Sequence, residues 1–255
     1  MTAKSHETVV ADQFGPQAAA YVASPVHAKG EDLDALAALL RARPGGRVLD
    51  LGCGGGHVSF TASPFAAEVV AYDLSDDMLA AVAATARQRG LGNIVTRQGS
   101  VEALPFAAAE FDIVLSRFSA HHWPALPPAL AEARRVIKPG GFAVFMDGAS
   151  PGPALLDTHI QAIELLRDPS HVRDYSAEEW QQAVTAAGFA PGRLVRRRLP
   201  LEFQPWIDRM RTAPDHVRAI RSLQLQASAA VQQHFDIKPD GSFTLDTLSL
   251  EAVPV

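Results

Sequence analysis

Two acids and a glycine-rich loop in the first third of the chain have the residue types and spacing of a ligand site. Asp50 is followed closely by the segment 52–56, which holds four glycines and a cysteine. Glycines let a ligand approach the backbone, and a loop that leads from a strand into a helix presents unpaired N–H groups. Asp73, 21 residues after Gly52, ends the next apolar run. An acid at that place can accept hydrogen bonds from ribose hydroxyls, so the pattern predicts a ligand that contains a ribose.

Two classes of ligand use this geometry: dinucleotides through their pyrophosphate, and S-adenosylmethionine (SAM) through its methionine part. The dinucleotide fingerprint G-x-G-x-x-G, begun at Gly52, needs a third glycine where the chain has His57. Asp50 would also repel a pyrophosphate, by about 4 kcal/mol at about 4 Å and an effective dielectric of about 20. The same charge attracts the ammonium and sulfonium of SAM. The residues therefore favour SAM, and an NAD(P)-dependent oxidoreductase is the alternative.

The residues that follow Asp73 fit a bound adenosine. Ser75 is predicted to cap the next helix, which leaves Asp73 free for the ribose. Leu74 and Met78 are predicted to supply apolar contact to the purine.

Composition limits the class of protein. The chain has 255 residues, 47% of them hydrophobic and 20% charged, with a net charge of −5. No basic field favours a nucleic acid or an anionic membrane surface as partner. One cysteine excludes an intrachain disulfide, and no apolar run reaches the length of a signal peptide or of a spanning helix, about 18 residues. We expect a cytoplasmic protein with no membrane span.

Short apolar runs alternate with helical patterns between residues 47 and 147, which predicts βαβ units and a doubly wound α/β fold. We predict three parts of one domain: an amino-terminal helical cap segment over 1–45, a ligand-binding core over 46–148, and a carboxyl-terminal part over 149–255. The last part is predicted to carry helical inserts on the substrate side, one of them over about 205–236, and to end in a strand over 242–253.

Four segments occur in order and at normal spacing: "VLDLGCGGGH", "VVAYDLSDDML", "GSVEALPFAAAEFDIVLSRFSAHHW" and "RRVIKPGG". Together they resemble the class I SAM-dependent methyltransferases, and most closely the small-molecule branch (the type 11 domain) that contains the ubiquinone/menaquinone C-methyltransferases. The resemblance implies a Rossmann-like, seven-stranded, mostly parallel sheet with an antiparallel last strand. It implies SAM as cofactor and S-adenosyl-L-homocysteine as product. It covers residues 47–147, so it does not identify the methyl acceptor.

The resemblance also implies roles for single residues. The methionine part of SAM would be lined by Asp50, Gly52, Cys53 and Gly54. Asp73 and Leu74 would hold the ribose and the adenine edge, while Ser100 and Val101 would contact the adenine. Ser116 would close the floor below the methyl donor, and Tyr21 would come from the amino-terminal cap.

The segment 116–123, "SRFSAHHW", follows the fourth strand. Class I enzymes that act on adenine amines or glutamine often have an acid or amide, then Pro-Pro and an aromatic residue, at this place. The segment "SRFSAHHW" lacks that pattern, which favours a small-molecule acceptor. His121 and His122 are candidate catalytic groups because histidine titrates near neutral pH, the alternative being that they only pack and cap the loop. Arg117 is a candidate anchor for an acceptor carboxylate, the alternative being a surface ion pair.

A polar loop over 167–176 is predicted to lie above the carboxyl ends of the strands, where ligands bind in this fold. Arg173 and Tyr175 are its candidate substrate contacts, and a merely solvated loop is the alternative. The histidines match no zinc spacing, so no metal is expected. The prediction is a SAM-dependent methyltransferase acting on carbon, oxygen or nitrogen of a small molecule. A SAM-binding protein without catalysis is the second hypothesis.

Overall fold

The computed structural model describes residues 4–18 and 29–255, so Tyr21 lies outside the described residues. Its seven strands form one sheet in the order β3-β2-β1-β4-β5-β7-β6. Strands β1 to β5 pair in parallel, whereas β7 is antiparallel to both β5 and β6. The predicted fold class and the antiparallel last strand are confirmed. The strands are β1 Arg47–Leu51, β2 Glu68–Asp73, β3 Ile94–Gln98, β4 Phe111–Arg117, β5 Ile137–Gly148, β6 Phe189–Leu201 and β7 Phe243–Pro254.

Ten α-helices are found in the described ranges, numbered in chain order. They are α1 His6–Phe14, α2 Glu31–Ala42, α3 His57–Ala62, α4 Asp76–Gln88, α5 Leu126–Val136, α6 Ala154–Arg167, α7 Ala177–Ala186, α8 Phe203–Met210, α9 Pro214–Gln226 and α10 Ala229–His234. None of the helices described is long and apolar enough to cross a bilayer.

Helices cover both faces of the sheet, because successive side chains of a strand point to opposite faces. Leu49 of β1 belongs to an apolar cluster with α5 and α7 on one face. Val48 belongs to a separate cluster with α2 and α3 on the other face. This two-sided burial explains why the parallel strands are continuous apolar runs.

The helical insert predicted over about 205–236 consists of three helices, α8, α9 and α10. Arg211 ends α8 in the left-handed region (φ 51°), and Pro214 begins α9. These helices and α6 pack around a third apolar cluster that includes Ile160, Trp206 and Phe235. The carboxyl-terminal part therefore has an apolar core of its own, separate from the two clusters that cover the sheet.

The strand order reverses between β1 and β4, since the chain runs outward to β3 and then returns to the other side of β1. Ligands of open α/β sheets bind outside the carboxyl ends of the strands at such a switch point. Three segments reach this edge of the sheet: residues 52–56 follow β1, Asp73 ends β2, and the segment after Arg117 follows β4.

Candidate functional site

The glycine loop after β1 has three glycines with a positive φ: Gly52 (65°), Gly54 (46°) and Gly56 (79°). A Cβ atom at Gly52 would lie 1.8 Å from Ser119 Oγ. A Cβ atom at Gly56 would lie 2.9 Å from the side chains of Phe60 and Val82. A Cβ atom at Gly54 would meet no atom within 4 Å. Gly52 and Gly56 are therefore required by packing, whereas Gly54 leaves open space for a ligand.

Asp73 joins the end of β2 to this loop. Its Oδ2 accepts a hydrogen bond from Gly54 N over 2.8 Å, and its Oδ1 accepts one from Ser75 N over 3.0 Å. A carboxylate has about four lone-pair sites, so each oxygen keeps one for a ligand hydroxyl. The Ser75 hydroxyl accepts from Met78 N, as predicted for a helix cap. Burial raises the pKa of Asp73, and the backbone donors oppose that rise.

Asp50 is almost fully buried, with 1% of its surface exposed. Its Oδ2 accepts a hydrogen bond from Ser59 Oγ over 2.6 Å, whereas its Oδ1 has no partner among the described residues. Burial raises the pKa of this carboxyl to about 7, although Ser59 and the nearby Arg117 lower it. A buried acceptor without a partner is uncommon in folded proteins, and a ligand ammonium would satisfy it.

These groups line one cavity of about 1040 Å³. Most of the residues predicted from the sequence lie in its wall: Asp50, Gly52, Cys53, Gly54, Asp73, Leu74, Met78, Ser100, Val101, Arg117 and His122. Ser116 is not in the wall, because its hydroxyl donates to the Leu51 carbonyl within the sheet. We call this space the cofactor cavity.

Helix α1 covers the cofactor cavity. The sequence predicted an amino-terminal cap but not which residues of this helix would contact the cavity. Its residues His6, Glu7, Val10 and Phe14 line the wall. His6 Nε2 donates to the His122 carbonyl over 2.9 Å, which fixes the helix over the site. The spacing of these residues along one helix face is the only signal in the sequence that could have found them.

Arg117 lies in the cofactor cavity wall and is paired. Its Nε lies 2.5 Å from Asp32 Oδ2, and its Nη2 lies 3.2 Å from Asp32 Oδ1. Only 5% of the Arg117 side chain and 15% of the Asp32 side chain are exposed. The arginine therefore forms an ion pair, as the alternative interpretation held, but a buried one that fastens α2 to the end of β4.

A second cavity of about 630 Å³ lies beside the first. Phe14, Phe118 and His122 line both cavities. Its apolar wall consists of Leu199, Leu201, Trp206, Met210 and Leu245, and its polar wall consists of His121, Glu164, Arg167, Asp168, Asp174 and Arg209. We call this space the acceptor cavity.

His121 is held by Asp147 at the end of β5. Its Nδ1 lies 2.5 Å from Asp147 Oδ1, while Asp147 Oδ2 accepts from the backbone N–H of Ala120 and His121. Burial would lower the pKa of this imidazole, but Asp147 outweighs it and the pKa is raised to about 9. At neutral pH His121 is therefore an imidazolium.

His122 is a neutral imidazole whose tautomer the structure determines. Its Nδ1 lies 3.1 Å from the Ser170 carbonyl oxygen, which can only accept, so Nδ1 carries the proton. Nε2 therefore holds a lone pair. Burial, and then the charge of His121, lower the pKa of His122 to about 3.

The loop before α7 does not place its predicted contacts in either cavity. Arg173 donates to Glu179 and to Asp157, and its guanidinium lies 6.0 Å from the centre of the Tyr175 ring. Neither Arg173 nor Tyr175 lines the cofactor cavity or the acceptor cavity. The same loop instead supplies Asp174, whose burial no sequence pattern indicated.

Comparison with known proteins places this geometry in a family. A model of the methyltransferase domain matches residues 49–145. YafE of Escherichia coli K12, an uncharacterized protein, is 47% identical over 197 residues, which cover 77% of this chain and 95% of YafE. The uncharacterized methyltransferase YcgJ of Bacillus subtilis is 34% identical over 224 residues, which cover 88% of each chain. The crystal structure of YcgJ superposes with a TM-score of 0.83 at 31% identity, over 87% of this chain and 97% of that chain.

The chain belongs to the class I SAM-dependent methyltransferases. It is thus a methyltransferase, with SAM as its cofactor, and the resemblance inferred from the sequence is confirmed. More distant methyltransferases share the fold. The geranyl diphosphate C-methyltransferase of Streptomyces coelicolor A3(2), solved with S-adenosyl-L-homocysteine, has a TM-score of 0.59 at 18% identity, over 87% of this chain and 79% of that chain.

The cofactor cavity of this methyltransferase fits SAM. The unpartnered Oδ1 of Asp50 suits the ammonium of the methionine part, and the free lone pairs of Asp73 suit the ribose hydroxyls. The open space at Gly54 admits a ligand close to the backbone. The carboxylates of Asp50 and Asp73 are thus complementary to the ammonium and the ribose hydroxyls of SAM. A pyrophosphate would instead place negative charge against Asp50.

Proposed function

We propose that the protein methylates a small molecule bound in the acceptor cavity. The observation that carries this proposal is that Phe14, Phe118 and His122 line both cavities. The two cavities therefore meet at these three side chains, which is where an acceptor would approach the methyl group of the cofactor. SAM supplies a methyl group on a sulfonium that is already a leaving group, so the chain has to align the acceptor and exclude water.

His122 is the residue we propose to orient the nucleophile. Its Nε2 carries a lone pair and can accept a hydrogen bond from a hydroxyl, enol or amine. Ser170, which holds the opposite ring nitrogen, is itself fixed by Asp168, because the Ser170 hydroxyl donates to Asp168 Oδ1 over 2.6 Å. The imidazolium of His121, with ring centroids 4.0 Å apart, keeps His122 neutral, so His122 would orient the nucleophile by accepting a hydrogen bond from it rather than by taking its proton.

Exclusion of water falls to helix α1 and the apolar wall. Phe14 packs edge-on against His122, with ring centroids 4.9 Å apart. Gln13 Nε2 donates to the Met210 carbonyl over 2.9 Å, which links α1 to the wall of the acceptor cavity. The apolar side chains in the wall of the acceptor cavity favour a small, partly apolar acceptor rather than a nucleic acid.

The proposal is tested by transfer of label from methyl-labelled SAM to pools of small hydroxyl, amine and activated-carbon compounds. Leu199→Trp should fill the acceptor cavity and abolish transfer to any accepted compound, while the Kd for SAM stays within twofold. Leu225→Trp is the matched control, because Leu225 is 69% exposed and lines neither cavity. SAM binding with no labelled compound in any pool would contradict methylation of a small molecule.

A further inference from the structure

Among the residues that the structure describes, three carboxyl groups line the cofactor cavity: Asp50, Asp73 and Glu7. SAM likewise presents three kinds of group that donate hydrogen bonds. They are the ammonium of its methionine part, the hydroxyls of its ribose and the amino group of its adenine. Asp50 suits the ammonium, and Asp73 suits the ribose hydroxyls. One carboxyl, that of Glu7, and one donor, the adenine amine, then remain.

Helix α1 spans the cofactor cavity from one side to the other. At its start, His6 Nε2 donates to the His122 carbonyl over 2.9 Å. At its end, a Cβ atom at Gly15 would lie 2.9 Å from Asp77 Oδ2, so the helix end lies against the first turn of α4. The residues that line the cavity from one face of this helix are spaced by three and four: Glu7, Val10 and Phe14. Glu7 thus belongs to the face that looks into the cavity.

Glu7 acts on the end of the cavity where the adenine is expected. The Tyr72 hydroxyl donates to the Ser100 carbonyl oxygen over 3.1 Å. Burial raises the pKa of Tyr72 to about 12, and the charge of Glu7 contributes to that rise. Glu7 therefore stands within electrostatic reach of a hydroxyl that contacts Ser100. Ser100 and Val101 are the residues that the sequence predicts beside the adenine, and both line the same cavity as Glu7.

The Glu7 side chain is available to a ligand. It is partly buried, and it makes no hydrogen bond or ion pair with any residue in 4–18 or 29–255. Capping of α1 does not need it, because Ser5 Oγ already accepts from Thr8 N at the start of the helix. A carboxylate in a first turn also interacts favourably with the helix dipole, but that interaction does not require it to face the cavity.

The residues that follow β3 bring no carboxylate of their own to the cavity. Ser100 and Val101 line the wall, whereas the acid that comes next, Glu102, is outside it and accepts from Ala125 N over 2.9 Å. The Ser100 hydroxyl accepts from Glu102 N over 3.4 Å. An amine beside Ser100 therefore meets its carboxylate acceptor on helix α1.

We propose that Glu7 binds the adenine amino group of SAM and so makes helix α1 a determinant of cofactor specificity. A carboxylate accepts from an amino group and repels a carbonyl oxygen, so Glu7 would select adenine over hypoxanthine. The same bond would fasten α1 to the bound cofactor, and Phe14 of this helix lines both cavities. The proposal goes beyond the proposed function, because it concerns the cofactor and holds for any acceptor.

The test compares S-adenosyl-L-homocysteine with S-inosyl-L-homocysteine, in which a carbonyl oxygen replaces the adenine amine. Calorimetric titration gives the Kd of each ligand for the unmodified protein and for two variants. We expect the unmodified protein to prefer the adenosyl ligand at least tenfold. Glu7→Ala should weaken the adenosyl ligand about fivefold and should not weaken the inosyl ligand. Glu7→Gln supplies an amide that can donate to the carbonyl oxygen, so it should bind the inosyl ligand about fivefold more tightly than the unmodified protein does.

Asp12→Asn is the control, since Asp12 lies on the same helix, pairs with Lys4 over 2.6 Å and lines neither cavity. It should change both Kd values less than twofold. If Glu7→Ala weakens both ligands equally, Glu7 only holds the helix in place and the proposal is overturned. An unchanged preference for the adenosyl ligand in both Glu7 variants would overturn it as well. Glu7 is partly exposed, so neither variant should disturb folding, and no acceptor is present, so the result does not depend on methyl transfer.

Discussion

Ser59 donates its hydroxyl to one oxygen of Asp50 over 2.6 Å and leaves the other oxygen of that buried carboxyl unpartnered among the described residues. The strand end thereby holds a carboxyl that is half protonated at neutral pH, since burial raises the pKa of Asp50 to about 7. A ligand ammonium favours the ionised form. We therefore expect the binding of SAM to release a proton from the protein.

We expect the affinity for SAM to fall as the pH drops below 7, by up to tenfold per pH unit, because binding must then deprotonate Asp50. Above about pH 8 the α-amino group of the ligand loses its own charge, so affinity should be highest between pH 7 and 8. Calorimetric titration from pH 5.5 to 8.5 measures this. Asp50→Asn should bind SAM more weakly at pH 7.5 and show a flat response below pH 7. A flat response in the unmodified protein would contradict the assignment.

Asp73 provides the second prediction. Asp73→Ala removes the acceptors proposed for the ribose, and hydrogen bonds to a charged group contribute about 1.5–3 kcal/mol each. We expect the Kd for SAM to rise at least tenfold. The exposed Asp76, three residues along in the first turn of α4, is the control, and Asp76→Ala should change the Kd less than twofold. An unchanged affinity in Asp73→Ala would remove the ribose assignment.

The third prediction separates backbone strain from ligand access. Gly54 (φ 46°) and Gly90 (φ 70°) are both left-handed, and a Cβ atom at either would meet nothing within 4 Å. Alanine at each should therefore cost about 1–2 kcal/mol of folding free energy. Only Gly54 lines the cofactor cavity, so Gly54→Ala should weaken SAM binding at least tenfold while Gly90→Ala leaves it unchanged. Equal SAM affinities in the two variants would mean that the ligand does not approach Gly54.

The residues of the cofactor cavity could be predicted from the sequence, because many of them lie close together in the chain. Asp50, the glycines and Asp73 follow successive strands, and parallel strands bring their carboxyl ends to one edge. The acceptor cavity was not predictable, because its wall joins residues as distant as Phe14, Trp206 and Leu245. The loop over 167–176 was predicted to lie near the site, and Arg167, Asp168 and Asp174 from it line the acceptor cavity. Which of its side chains face the cavity depends on packing, since Arg173 found partners on α6 and α7 while Asp174 was buried.

The pairing of His121 with Asp147 provides the last prediction. Asp147 outweighs burial and holds the pKa of His121 at about 9, above the ordinary value of about 6.5 in an unfolded chain. The folded state thus binds a proton more tightly than the unfolded state does. This contribution to stability is fully present below about pH 6.5 and is lost as the pH rises through 9.

Asp147→Asn removes the charge but keeps the side-chain shape, so the pKa of His121 should fall from about 9, because burial still lowers it while only the charges of Asp174 and Glu164 still raise it. NMR titration of the histidine ring protons measures the pKa directly. Thermal unfolding should show that the unmodified protein loses stability between pH 7 and 9 more steeply than the variant does. If His121 titrates near 6.5 in both proteins, the imidazolium assigned to the acceptor cavity is wrong.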